Sequence, residues 1–195
     1  MGGQGTWYGA RIALLVAVIA GTITCVIGAG LGLLAGFLRG WVDVVISRAI
    51  DIWMAFPPVL FSILLIAVMG PGLVSIIIAI VVIDWTRFAR VVRAEAMAQG
   101  AMDYVASAQV AGRGRLSTMV TEILPNVLPT IVVLLTLEMG IAVIVEAILS
   151  FVNLSISTDD PTWGGMIGEG RSSIHQAWWV LVFPLVTLFL TVLSF

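Results

Sequence analysis

The chain has 195 residues, of which 61% are hydrophobic and 10% charged, and its mean hydropathy is +1.15. Soluble domains carry about 25% charged residues, so this chain has too few polar side chains to cover a water-exposed globule, and lipid is the predicted solvent. The formal net charge of −2 gives no basis for a nucleic-acid partner.

Five stretches predict membrane-spanning helices, because a helix needs about 20 mostly apolar residues to cross the hydrocarbon core. They are Ile12 to Leu38, Gly40 to Met69 with a kink at Pro57 and Pro58, Leu73 to about Val92, Ile123 to Phe151, and Ala177 to Phe195. The "GPG" at Gly70 to Gly72 predicts a tight turn between the second and third spans. The predicted fold class is an all-α integral membrane protein, with residues 1–195 forming one transmembrane domain.

The first span carries small residues at intervals of three or four, which place them on one helical face. These residues are Gly21, Cys25, Gly28, Gly32 and Gly36. Small residues allow helix backbones to approach closely in lipid, so this face is predicted to pack against protein. Cys25 is interpreted as a packing residue, and the lone His175 has no neighbouring His or Cys with which to hold a metal ion.

The arginines predict the orientation, because short cytoplasmic loops are enriched in basic residues. If five spans alternate, seven of the nine arginines fall on one side, and only Arg11 and Arg171 fall on the other. Residues 94–122 then form a cytoplasmic loop, and residues 153–176 form the main external loop. The N-terminus is placed outside, and we therefore expect a further helix before residue 1. Asp51 and Asp84 lie near cytoplasmic span ends, where solvation or nearby arginine partners account for them most simply.

A polar stretch from Tyr104 to Asn126 interrupts the apolar chain. It predicts a short helix from about Asp103 to Ala111, capped by the Asp103 carboxylate. Gly100 and Gly112 suit the left-handed residue beyond a helix end, and a second helix would lead into "ILPNVLP". Tyr104, Val105 and Val110 are expected to be exposed. Because this short helix has no basic face, it suits a groove in a protein better than anionic lipid.

Glu138 and Glu146 lie within the fourth predicted span, about 80° apart around the helix axis. An ionisable group at that depth usually faces a bundle interior or water. A pore or proton-relay role and a structural role in hydrogen bonding between helices both remain open for the pair. No hydrolase, metalloprotease or phosphate-loop motif is found in the sequence, so no catalytic residue is predicted.

The polar stretch resembles the "EAA" loop of ABC-importer permeases at Ser107, Ala108 and Gly112, followed by Ile123, Leu124 and Pro125. The segments "YGARIALLVAV", "GLLAGFLRGWVDVVISRAIDIWMAFP", "ARVVRAE", "EAILSFVNL" and "PTWGGMIGEGR" extend the resemblance over nearly the whole chain. Together they are similar to the C-type subunit of the dipeptide/oligopeptide (nickel) branch. The Glu of the motif is Ala106 here, and the chain starts after the first helix of such subunits.

The resemblance implies the type I ABC importer permease fold and a non-catalytic subunit that forms half of a pathway for di- or oligopeptides. It implies four kinds of partner: a second permease subunit in a heterodimer, two ATPases that carry ATP and Mg, an extracytoplasmic binding protein, and lipid. This chain would bind no cofactor and would lie in the inner membrane of a bacterium or archaeon. The external loop would meet the binding protein through Trp163.

The resemblance also assigns residues to roles. The ATPase-docking residues would be Asp103, Tyr104, Val105, Ala106, Ser107, Ala108, Gln109, Val110, Ala111, Gly112 and Arg113. The hinge from the loop into the next span would be Ile123, Leu124 and Pro125.

Two other hypotheses belong to different functional classes. One is a stand-alone ion-coupled carrier or channel that uses Glu138 and Glu146. The other is a non-transporting membrane assembly subunit, which the Ala at position 106 and the short N-terminus favour.

Overall fold

The computed structural model describes residues 2–154, 161–174 and 177–195, and all regular structure in these ranges is helical. The elements are α1 Gly2–Leu38, α2 Gly40–Met54, α3 Pro58–Met69, α4 Leu73–Gln99, α5 Asp103–Val110, α6 Arg115–Thr118, a π-helical turn Met119–Ile123, α7 Leu124–Phe151, α8 Trp163–Ser172 and α9 Trp178–Ser194. The predicted all-α class is confirmed.

Each helix extends as far as its backbone hydrogen bonds do, so the helix ends differ from the ends of the apolar stretches that the sequence predicts. α4 continues to Gln99, past the predicted end near Val92, because "RAEAMAQ" is rich in good helix formers. The predicted break at the prolines is confirmed: helical structure stops after Met54 and resumes at Pro58. Proline is tolerated at a first helical position because its missing N–H has no partner there. Gly70, at φ +86°, supplies the left-handed residue of the predicted turn.

Two helical stretches are long and apolar enough to cross a membrane, Trp7–Leu38 with 32 residues and Arg115–Phe151 with 37. The broken pair α2 and α3 gives a third if it is counted as one span, and α9 is a shorter apolar helix. α4 corresponds to the third predicted span, but Asp84, Arg87 and Arg90 interrupt its apolar sequence. The described residues thus form a multi-pass membrane protein in which two to three of the five predicted spans meet the length and composition criterion.

The chain divides into two compact units whose segments alternate along the sequence. Unit 1 comprises Met1–Thr22, Pro58–Val82 and Thr136–Phe195, and unit 2 comprises Ile23–Pro57 and Ile83–Leu135. The core of unit 1 joins residues from α1, α3, α4, α7 and α8, among them Ala17, Ile66, Ile76, Val143 and Trp163.

In unit 2, the small-residue face of α1 packs directly on the backbone of α4, as predicted. A Cβ added at Gly32 would lie 2.7 Å from the Ala89 carbonyl oxygen, and one at Gly36 would lie 2.8 Å from the Ala96 Cβ. Real Cβ atoms do not approach this closely, so only glycine allows the observed spacing. Cys25 is buried in the same core.

Candidate functional site

The candidate site is the segment between α4 and α7, and it begins with α5. The predicted cap at Asp103 is wrong: Met102 is the N-cap residue, and no side chain caps the helix. Asp103 is instead the first helical residue, where its carboxylate still favours the positive end of the helix dipole. Gly100 is also not left-handed, because its φ is not positive. Its N–H continues the turn of α4 by donating to the Ala96 carbonyl at 2.9 Å.

α5 ends in a Schellman motif at Gly112. The Arg113 N–H donates to the Ala108 carbonyl at 3.1 Å, and the Gly112 N–H donates to the Gln109 carbonyl at 3.0 Å. Gly112 has φ +82°, the left-handed conformation that this motif requires. The predicted break at Gly112 is therefore confirmed, and it satisfies carbonyls that the helix end would otherwise leave without partners.

One side of α5 is anchored in the core of unit 2. Val105 is buried in the cluster that contains Phe37, Phe88 and Ile123, so the expectation that Val105 is exposed is wrong. Tyr104 is half-buried, and its hydroxyl donates to Gln99 Oε1 at 2.8 Å. Burial raises the pKa of Tyr104, the negative charge of Glu122 raises it further, and a hydrogen bond with Asn126 opposes the rise.

The opposite side of α5 is exposed and nearly uncharged. Val110 is 89% exposed, as predicted, and Leu116 and Val120 in the following turns are also exposed apolar side chains. Ala106, which stands where the resembled motif has Glu, lies on this exposed side. This surface therefore offers mainly apolar and small side chains, and it has no carboxylate at position 106.

The predicted hinge at Ile123, Leu124 and Pro125 coincides with the π-helical turn. Pro125 has no N–H to donate, and its ring would crowd the carbonyl of the preceding turn. The wider π turn relieves this crowding, with the Leu124 N–H donating to the Met119 carbonyl. The side-chain amide of Asn126 donates to the Glu122 backbone carbonyl at 2.6 Å. The helix thus runs from Arg115 to Phe151 without a break, whereas the sequence predicted a start at Ile123.

Arginine side chains tie this segment to its neighbours within unit 2. Arg113 Nη1 lies 2.7 Å from Glu122 Oε1 and 2.6 Å from Thr121 Oγ1. Arg115 Nη2 donates to the Leu38 carbonyl at 3.3 Å, and Arg39 Nη2 donates to the Met97 carbonyl at 3.4 Å. The Arg113 contacts join the end of α5 to the turn before α7, the Arg115 contact joins the segment to the end of α1, and the Arg39 contact joins the end of α1 to α4.

The two glutamates of the fourth span lie in unit 1. Glu138 and Glu146 are both buried, and the Ser150 hydroxyl donates to Glu146 Oε1 at 2.5 Å. This contact fits the structural interpretation for Glu146, and a pathway role for either residue stays a prediction.

Trp163 does not lie on an external surface. It is 2% exposed and packs in the core of unit 1, where a Cβ at Gly9 would lie 2.8 Å from its Cδ1 atom. The prediction that Trp163 contacts a partner is therefore wrong, because burial of the large indole in the core keeps it from the surface. Of the predicted external loop, residues 161–174 form α8 and its flanks, while residues 155–160 and 175–176, including His175, lie outside the described residues.

The arginine partners expected for Asp51 and Asp84 are present. Arg90 Nη2 lies 3.7 Å from Asp51 Oδ1, and Arg87 Nη2 lies 3.3 Å from Asp84 Oδ1. Sequence reasoning missed a third pair, in which Arg93 bonds to both carboxylate oxygens of Asp43, with Nη2 to Oδ2 at 2.8 Å. These two residues are 50 positions apart, and no local pattern connects them.

Curated relatives resemble nearly the whole chain. It is 36% identical to the di/tripeptide transport system permease protein DppC of Pseudomonas aeruginosa over 96% of this chain and 62% of that protein. It is 37% identical to the dipeptide transport system permease protein DppC of Bacillus subtilis, covering 97% of this chain and 60% of that protein. A glutathione transport system permease protein GsiD of Shigella dysenteriae is 38% identical over 96% of this chain and 62% of that protein. The chain thus spans about three fifths of the length of these relatives.

The fold agrees with a solved transporter. A chain from an inward-facing structure of the MetNI methionine ABC transporter superimposes with a TM-score of 0.80 at 19% identity, covering 100% of this chain and 94% of that chain. At this identity the likeness concerns the fold alone, and it confirms the type I permease fold. Residues 28–195, which include all of α2 to α9, match the family of binding-protein-dependent transport system inner membrane components. The chain therefore belongs to this family of inner membrane transport components.

Proposed function

We propose that this chain is the permease subunit of an ATP-driven importer and forms half of a translocation pathway for di- or oligopeptides. The observation that carries the proposal is α5, a short helix anchored in the core on one side and exposed, with little charge, on the other. The relatives' names, which specify di/tripeptide and glutathione transport, supply the proposed cargo class.

The exposed side of α5 is proposed to dock in a groove of a cytoplasmic ATPase. A helix-in-groove contact is built from apolar anchors on one face, and Val110, Leu116 and Val120 provide such anchors. The arginine-rich side of the chain is then cytoplasmic. ATP and Mg would bind to two partner ATPases, and this chain would hydrolyse nothing.

Motion of the docked helix would pass into unit 2 as a rigid body. Val105 fixes α5 to the core, and the Arg113 contacts with Thr121 and Glu122 fix its C-terminal end to the start of the long α6–α7 helix. A displacement of α5 therefore displaces the cytoplasmic ends of α1, α4 and α7 together. Switching between inward-open and outward-open states by such rigid-body movement is an established type of transition.

The remaining partners are a second permease subunit, which makes a heterodimer, and an extracytoplasmic binding protein that delivers peptide. The complex would lie in the inner membrane of a bacterium or archaeon. The external loop, residues 153–176, is the proposed contact with the binding protein, through residues other than the buried Trp163.

Affinity purification from native membrane, followed by reconstitution in liposomes, tests the proposal. Co-purification of ATPases and ATP-dependent peptide uptake are the expected results. Uptake by the chain alone, driven by an ion gradient and lost in Glu138→Gln or Glu146→Gln, would establish the ion-coupled carrier instead. An assembled complex that binds ATP and moves no solute would identify a non-transporting assembly subunit.

A further inference from the structure

The two helical stretches that are long and apolar enough to cross a membrane meet at one edge of unit 2. The stretch Trp7–Leu38 ends one residue before Arg39, and the stretch Arg115–Phe151 begins at Arg115. Arg115 Nη2 donates to the Leu38 carbonyl at 3.3 Å, so the two ends are in contact. At about 1.5 Å per residue, the 32 residues of the first stretch extend over about 48 Å, and the bilayer with its headgroups measures about 40–45 Å. This edge therefore lies at the lipid headgroups, on the side that the arginine distribution predicts to be cytoplasmic.

Arg39 and Arg115 are exposed and stand outside the ion pairs of this unit. In the part of the chain that the structure describes, the arginines that form ion pairs are Arg87, Arg90, Arg93 and Arg113. Arg39 Nη2 donates to the backbone carbonyl of Met97 at 3.4 Å, and the nearby carboxylate of Asp43 is bonded on both oxygens by Arg93. A guanidinium carries five N–H donors. Arg39 and Arg115 therefore each keep a charge and several donors for an anion outside the chain.

The backbone at Arg39 suits glycine better than arginine. Its φ is +56° and its ψ is −163°, close to a region that residues with a side chain enter only at an energetic cost. Glycine takes such a conformation freely, so the geometry of the turn does not account for an arginine at this position. The single exposed hydrogen bond from Arg39 to Met97 is long and offsets little of the cost. A further contact of the Arg39 side chain, outside the chain, is therefore expected.

An exposed face of α2 continues from the same edge. Trp41 is 83% exposed, and Val45 and Ile52 are also exposed. Their spacing of four and seven residues places the three side chains on one helical face, and the exposed Arg48 lies between them in the sequence. Tryptophan is enriched where a membrane meets water, with its ring at the level of the headgroups. The surface thus combines two guanidinium groups with an interfacial indole and a run of apolar side chains, which suits a phospholipid headgroup and its acyl chain.

We propose that Arg39, Arg115 and Trp41 form a binding site for an anionic phospholipid at the cytoplasmic surface of the membrane. The two arginines bind the headgroup phosphate, whose oxygens match the planar guanidinium, and the indole packs against the upper part of the acyl chain. A headgroup with net negative charge is preferred over phosphatidylcholine, because two arginines repel the choline cation. An acidic protein surface would also fit two arginines, but the exposed indole and the apolar side chains of α2 favour lipid. The site is independent of the proposed cargo.

Native mass spectrometry of the purified protein, titrated in detergent with phosphatidylglycerol or phosphatidylcholine, tests the site by measuring the apparent Kd of each lipid. The wild-type protein is expected to bind phosphatidylglycerol more tightly. Arg39→Gln and Arg115→Gln should each weaken phosphatidylglycerol binding about fivefold, the factor that one basic residue contributes near an anionic lipid. Glutamine can still donate to the same backbone carbonyl, so this loss reports the charge, and lysine at either position should keep most of the affinity. Trp41→Ala should weaken binding of both lipids, and Arg11→Gln, at an exposed arginine in unit 1, should change neither.

Several results would overturn the inference. Equal affinity of the wild-type protein for the two lipids, or unchanged phosphatidylglycerol binding in both glutamine variants, would show that the arginines do not bind a headgroup. Displacement of phosphatidylglycerol by an equal concentration of glycerol phosphate would show an anion site that needs no lipid. Loss of a co-purifying ATPase in Arg115→Gln, with unchanged lipid binding, would assign the surface to a protein partner. These outcomes leave the proposed function untouched, because ATP-dependent peptide uptake tests that function separately.

Discussion

Gly112 offers a direct test of the coupling proposal, because its requirement for glycine is conformational. No heavy atom lies within 4 Å of the position that a Cβ would take, so a side chain at residue 112 meets no steric clash. The residue has φ +82°, and left-handed backbone costs an ordinary L-residue about 1–2 kcal/mol. Asn tolerates this region far better than β-branched residues do.

The expected size of the effect follows from this strain. A penalty of about 1–2 kcal/mol changes a conformational equilibrium by about 5–30-fold. If residue 112 escapes the strain by changing conformation, the capping bonds from Gly112 and Arg113 are lost, at about 1 kcal/mol each. The Arg113–Glu122 pair is partly exposed and adds little. A β-branched residue at 112 should therefore deplete the loop conformation that is proposed to dock.

The assay compares Gly112→Val, Gly112→Ala and Gly112→Asn in the assembled complex, with uptake and peptide-stimulated ATP hydrolysis as readouts. Val should lower uptake most, by about 5–30-fold, Ala should lower it less, and Asn should stay near wild type. Normal stimulated ATP turnover in the assembled Val variant would refute the reasoning. Equal loss in Asn and Val would show that the backbone conformation is not the cause.

Three further predictions follow from burial. Val105→Ala should lower the free energy of unfolding, measured by thermal or denaturant unfolding, by about 1–3 kcal/mol. Val110→Ala, at an exposed position of the same helix, should change it by less than about 0.5 kcal/mol. Equal effects of the two substitutions would contradict the anchoring of α5. Trp163→Ala should cost about 3–5 kcal/mol, and Trp178→Ala, at a largely exposed indole, should cost much less. The pKa of Tyr104 is raised in the folded protein. Its stabilising contribution is therefore present below the unfolded value of about 10 and is lost as pH rises through the folded value. Tyr104→Phe should make the unfolding midpoint depend less on pH between about pH 9 and 11, and an unchanged dependence on pH would contradict this.

Several local features of the site could be predicted from sequence because short-range rules govern them. The bounds of α5, the left-handed Gly112 and the break before Pro58 depend on backbone hydrogen bonding and on the conformations open to glycine and proline. The small-residue face of α1 was predictable for a similar reason, since helical periodicity alone brings Gly28, Gly32 and Gly36 to one side.

Other features could not be read from a local pattern. Val105 and Val110 are the same residue type on one short helix, yet Val105 is buried and Val110 is 89% exposed. Only the position of the core cluster around Phe37 and Ile123 distinguishes them.

The sequence by itself thus determined the all-α membrane class, the approximate positions of the apolar helices and the bounds of α5, since each depends on neighbours within a few residues. The tertiary structure decided which side of α5 is anchored, that Trp163 belongs to a core, and that Arg93 closes on Asp43 while Arg90 stays open to its surroundings. The physical reason is that burial and ion pairing depend on atoms brought together from distant parts of the chain.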